Sequence, residues 1–100
     1  MEIEQLRRED ARWRILQIVN AGHPVGLTET LIGRVLRDVE SPSSRDEVRR
    51  ELAYLRDIEL IEIGGEDDEV WFAIATAQGI AVVEYTAPPP AGIARPSRSM

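Results

Sequence analysis

Residues 62–74 read EIGGEDDEVWFAI, and on either side of the turn they contain, residues 60–63 (LIEI) and 70–75 (VWFAIA) are rich in β-branched and aromatic side chains. Such runs favour extended backbone, and the six residues between them, Gly64 to Glu69, carry the paired glycines and acids of a hairpin turn. The stretch therefore predicts a two-stranded antiparallel hairpin. Its turn holds four consecutive carboxylates, Glu66, Asp67, Asp68 and Glu69.

Upstream of the hairpin the spacing becomes helical. Residues 44–58 open on SRDE, where Ser44 and Glu47 form a capping-box pair, and Val48, Leu52 and Leu55 fall on one face. Before Pro42, the segment LTETLIGRVLRDVE (27–40) offers Thr28 as a cap and Leu27 as a staple on Ile32, with Leu31, Ile32, Val35, Leu36 and Val39 as the expected buried stripe. The first segment places Ala11, Ile15 and Ile18 on one line and Arg12, Leu16 and Val19 on the next, a helix ending near Gly22. Beyond the hairpin, Thr76 opens a short helix whose Ile80 and Val83 are expected to close over the sheet.

The expected fold class is α+β and mostly helical: a winged helix-turn-helix with a three-helix core, a two-stranded β-hairpin wing and a short C-terminal helix. Residues 1–86 form this domain. Residues 87–100, APPPAGIARPSRSM, hold too much Pro and Ser to join a core and read as an extended, flexible tail.

One hundred residues bury one modest core, so a binding surface is expected rather than a deep active site. There is no cysteine, one histidine (His23, in a Gly/Pro-flanked loop) and no lysine among the twelve basic residues. This composition excludes thiol chemistry, a thiolate or multi-histidine metal site and Schiff-base chemistry, so the chain reads as non-enzymatic and without cofactor or metal. The acids of the turn lack the alternating oxygen ligands and distant glutamate of a calcium loop. No apolar run is long enough for a membrane span or signal peptide, so a soluble cytoplasmic protein is expected. The formal charge is −6, with ten arginines against all eighteen acids in residues 1–85 and only Arg95 and Arg98 beyond. Such a body repels nucleic acid at long range.

The line RILQIVNAG, LTETLIGRVLRDV, SRDEVRRELAYLRDIELIEI, VWFAIATAQGIAVVE and AGIARP resembles the small winged-helix proteins of Mu-like phages and prophages, some of them labelled regulators of the arsenic-repressor type. The Leu52 and Leu55 pair, Trp71 with Ala73, Thr76 followed by Gly79, and GIARP at 92–96 carry the likeness. It implies a phage-encoded domain in a bacterial cytoplasm, serving regulation or late functions. The cysteine or histidine clusters of metal-sensing arsenic repressors are absent.

Two surfaces are candidates for binding. As a recognition helix, residues 44–58 would present Arg45, Arg49, Arg50, Tyr54 and Arg56 to DNA, arginine being suited to guanine and phosphate. Against this, residues 43–59 hold four arginines and five acids, and spacings such as Asp46 to Arg50 let the helix neutralise itself. The acidic turn is unsuited to a phosphate surface, where each close like-charge pair costs about 1 kcal/mol in water. It reads either as a solubilising turn or as a dock for a basic segment. Arg8 and Arg12 of the first helix offer such a segment in a second copy, and an exposed Trp13 would mark the interface. Protein interaction, with a homodimer among its forms, is therefore the favoured expectation, and DNA binding through helix 44–58 the alternative.

Overall fold

The structure, a computed structural model, describes residues 2–98; Met1 and the last two residues of the expected tail, Ser99 and Met100, lie outside it. About half the chain is helical, in four helices: α1 (Ile3–Ala21), α2 (Glu29–Asp38), α3 (Arg45–Asp57) and α4 (Ala77–Val83). Three strands, β1 (Leu27–Thr28), β2 (Ile61–Gly64) and β3 (Phe72–Ala75), form one antiparallel sheet in the order β1-β3-β2.

Side-chain caps fix the helix starts. Thr28 accepts from the Leu31 amide at 3.2 Å, and Thr76 from the Gly79 amide at 3.0 Å. At α3 the reciprocal box forms in full, the Glu47 amide donating to Ser44 Oγ and the Ser44 amide to the Glu47 carboxylate at 2.8 Å. Those bonds from Ser44 hold the Glu47 carboxyl below its ordinary value.

The helix ends share another device. Glu40, Glu59 and Tyr85 follow α2, α3 and α4 with φ of 58°, 66° and 64°. The next amide in each case reaches back over the last turn, Ser41 to the Leu36 carbonyl, Leu60 to Leu55 and Thr86 to Ala81. This satisfies end carbonyls, at a cost of about 1 kcal/mol per non-glycine residue held in the left-handed region.

The hairpin pairs Ile61 with Ala75 and Gly64 with Phe72, one residue or two later than the sequence places its strands. Leu60 instead lies buried at the entrance, its carbonyl accepting from the Thr76 amide at 3.1 Å. The sheet also has a third strand where two were expected. Leu27 pairs with Ala73 and Thr28 with Phe72, and the Glu29 amide extends the contact to the Trp71 carbonyl at 2.9 Å. A two-residue strand has no alternation to read, and in the sequence its residues read as the cap and staple of α2 instead.

Ile15, Leu16, Val19, Ile32, Leu36, Leu52 and Leu55 are fully buried and bring three helices onto Ile61 and Ala73 of the sheet. Gly79 sets the approach of α4, because a Cβ there would lie 2.0 Å from the Leu60 carbonyl oxygen. Val82 is the buried anchor of this helix, whereas Ile80 and Val83 are only half-buried.

Three further expectations are corrected. Trp13 is 6% exposed and sits in the core, its ring edge-on to Tyr85, so it marks no open interface. Leu31 and Val39 are exposed, because the buried side of α2 is formed by Glu29, Ile32, Gly33 and Leu36. Residues 87–98 do join the core. Ile93 is buried in it, the Ala94 amide donates to the Glu9 carbonyl, and Arg95 donates to the carbonyls of Val82 and Ala87 at 2.8 Å. A proline-rich composition prevents regular structure; it does not prevent one isoleucine from docking.

Candidate macromolecule-binding surface

Two buried carboxylates organise the polar side of the molecule. Glu29 is the first residue of α2, three and seven positions before Ile32 and Leu36, so its side chain falls on their buried line at 4% exposure. A lone carboxylate there would be costly. Arg49 answers it with a fork, Nε to Oε1 at 2.8 Å and Nη2 to Oε2 at 2.7 Å. Arg45 adds a contact at 3.3 Å, and the Trp71 amide donates to Oε2. The hydrogen bonds from Arg49 hold the Glu29 carboxyl down at about 2 against the upward push of burial, with the Trp71 amide assisting.

Arg49 also lies over the Trp71 ring, 4.7 Å from its centroid, and donates to the Glu69 carbonyl at 2.9 Å. Arg45 donates to that same carbonyl. The start of α2, the face of α3 and the hairpin loop are thus fastened at one point.

Glu51, on α3 beside Leu52 and 2% exposed, is the second centre. Arg12 donates to its Oε1 at 2.9 Å, and Arg8 and Arg50 both donate to Oε2 at 3.0 Å. Burial pushes this carboxyl up, but the hydrogen bonds from Arg12 and Arg8 outweigh it and leave the group below its ordinary value. Arg12 is itself buried, stacks 3.7 Å from the Tyr54 ring centroid and donates to the Gly92 carbonyl at 3.2 Å. The Tyr54 hydroxyl donates to the Ala91 carbonyl at 3.1 Å. Only glycine fits at position 92, whose φ is 90° and where a Cβ would meet the Tyr54 hydroxyl at 2.2 Å.

The residues expected to form a binding surface are therefore distributed by this pairing. Arg8 and Arg12 hold Glu51 inside their own chain and cannot serve as a free basic segment for the loop of a second copy. Tyr54 clamps residues 91–92 rather than facing a groove. Arg45 and Arg49 hold Glu29, Arg50 holds Glu51, and Arg56 pairs with Asp57 and Glu66. The acidic loop is partly explained by this: Glu66 is a counter-ion of α3, and the backbone of Glu69 is an acceptor for it. The carboxylates of Asp67, Asp68 and Glu69 are exposed with no ion-pair partner among the described residues, and Asp46 joins them from α3.

Sequence reasoning missed both buried glutamates. The signal was present, since Glu29 lies on the Ile32 and Leu36 line and Glu51 stands four residues before Leu55 in the inward row. A cleft of about 400 Å³ between α1 and the turn into α3 is edged by Arg7, Arg8, Arg14 and Arg50 together with Glu4, Asp10, Glu40 and Glu47, a mixed lining without one dominant sign. No helix among the described residues is long and apolar enough to cross a membrane. No protein-family model, curated protein or solved structure matches this chain.

Proposed function

We propose that the chain is a non-catalytic winged-helix module, of the kind carried by Mu-like phages and prophages, that acts by binding protein rather than DNA. The element order, with β1 completing a three-stranded sheet beside α3, supports the winged-helix reading. One observation carries the choice of partner class. Every arginine of α3 already has a carboxylate, whereas Asp46, Asp67, Asp68 and Glu69 near the same face have no ion-pair partner among the described residues. Duplex affinity comes from cations free to displace counter-ions from phosphate, and this face offers surplus negative charge instead.

The test is a salt-dependent titration with random duplex, beside a selection from random sequences. The expected affinity is weaker than about 10⁻⁴ M at physiological salt, with a shallow salt slope. The combined variant Asp67→Asn, Asp68→Asn and Glu69→Gln should then bind duplex about tenfold tighter, through lost repulsion. A reproducible site bound at about 10⁻⁸ M and lost on Arg50→Ala would overturn the proposal in favour of a DNA-binding regulator reading through α3.

A further inference from the structure

Between α1 and α2 lies a largely apolar groove of about 450 Å³, whose lining includes no residue of the acidic loop. Leu27 and Ile18 line it, and Leu31, Val35 and Val39 rise along one wall. Leu31 on α2 is 41% and Val39 at its C-cap 46% exposed, and the buried side of the helix is complete without them. Leu31 and Val35 on the outer face of α2 and Val39 at its C-cap, spaced four apart, form a ridge of the kind that seats in a helical groove.

The charges beside the ridge indicate what covers it. Arg34 and Asp38 lie next to it, and among the described residues neither has an ion-pair partner although they stand four apart on one helix. Leu31 and Val39 are each four residues from Val35, so an antiparallel copy of α2 crossing at Val35 sets Leu31 against Val39, twice. The same crossing sets Arg34 of each copy opposite Leu36 of the other, about 3 Å along the axis from Asp38 and on the same flank, within the reach of a guanidinium. Ridge and charges are therefore complementary to themselves under a two-fold axis, the requirement for an isologous interface.

We propose that the chain forms a symmetric dimer in which α2 of each copy seats in the α1/α2 groove of the other, with reciprocal Arg34 to Asp38 pairs. This face is independent of the acidic loop and of the partner class proposed above. It replaces the pairing of acidic loop with Arg8 and Arg12, whose guanidinium groups Glu51 already holds.

The experiment is sedimentation velocity on the full chain, without nucleic acid, over a range of concentrations. The wild type should dimerise, and Arg34→Asp and Asp38→Arg should each weaken self-association about tenfold by setting like charges opposite each other twice. Mixing the two variants should restore the dimer, since every crossing pair is then opposite in sign. Leu31→Glu should be monomeric with a wild-type circular-dichroism spectrum. A wild type still monomeric at a few hundred micromolar would overturn the proposal and leave the groove to a different polypeptide. A dimer indifferent to both charge reversals, or one their mixture does not rescue, would overturn it equally.

Discussion

Replacing Glu29 with Gln tests the fastening of α2, α3 and the hairpin loop. The Glu29 carboxyl is held at about 2 rather than 4.5, and at about 1.4 kcal/mol per unit this difference corresponds to roughly 3 kcal/mol of folding free energy. One of its cations, Arg45, is 57% exposed, and solvent screening reduces the figure to about 2 kcal/mol. The sign follows from a folded-state value below the unfolded one. The contribution is complete above about pH 4.5 and is lost as pH falls toward 2. Urea unfolding followed by circular dichroism should therefore show Glu29→Gln less stable by about 2 kcal/mol at pH 7, a midpoint shift of about 1 to 2 M. Between pH 4.5 and 2 the two proteins should converge, and because Glu51 is common to both, its titration cancels from the difference. A variant within 0.5 kcal/mol of wild type at pH 7, or a gap that stays constant down to pH 2, would refute the reasoning.

The docking of residues 87–98 makes Ile93→Ala costly, about 2 kcal/mol or more in the same unfolding assay, whereas an unattached tail would leave stability unchanged. Glu40, exposed and held at a φ of 58°, gives a prediction of the opposite sign: Glu40→Gly should stabilise by about 0.5 to 1 kcal/mol, read as a raised urea midpoint, and a loss would show that the α2 terminus is not under backbone strain.

What could be read in advance was whatever rests on local rules. The caps at Thr28 and Ser44, the helix opened at Thr76 and the inward trio Val48, Leu52 and Leu55 each depend on residues within a few positions of one another, and the structure holds them as expected. What escaped depends on distant partners. Leu27 and Thr28 become a strand only because Ala73 and Phe72 arrive beside them. Helix α2 could not declare which of Leu31, Ile32, Val35 and Leu36 face inward until α1 and α3 occupied the side of Ile32 and Leu36. The candidate binding residues were legible as a list of charges but not as pairs, and pairing decides which of them remain free. Arg49 and Arg12 look alike in the sequence with Arg7; only the fold assigns the first two to buried glutamates.

The Glu29 fastening also bears on how the chain folds. Its partners stand 16, 20 and 42 residues away, at Arg45, Arg49 and Trp71, so no local segment can satisfy the carboxylate. A state with α2 docked and the hairpin loop loose would keep a desolvated anion while losing the Trp71 amide, and would strip Arg45 and Arg49 of the Glu69 carbonyl. Half-assembled species are therefore raised in free energy relative to both ends of the reaction. The carboxylate acts as a cooperativity device, making the sheet and the helices melt in a single step rather than one after the other.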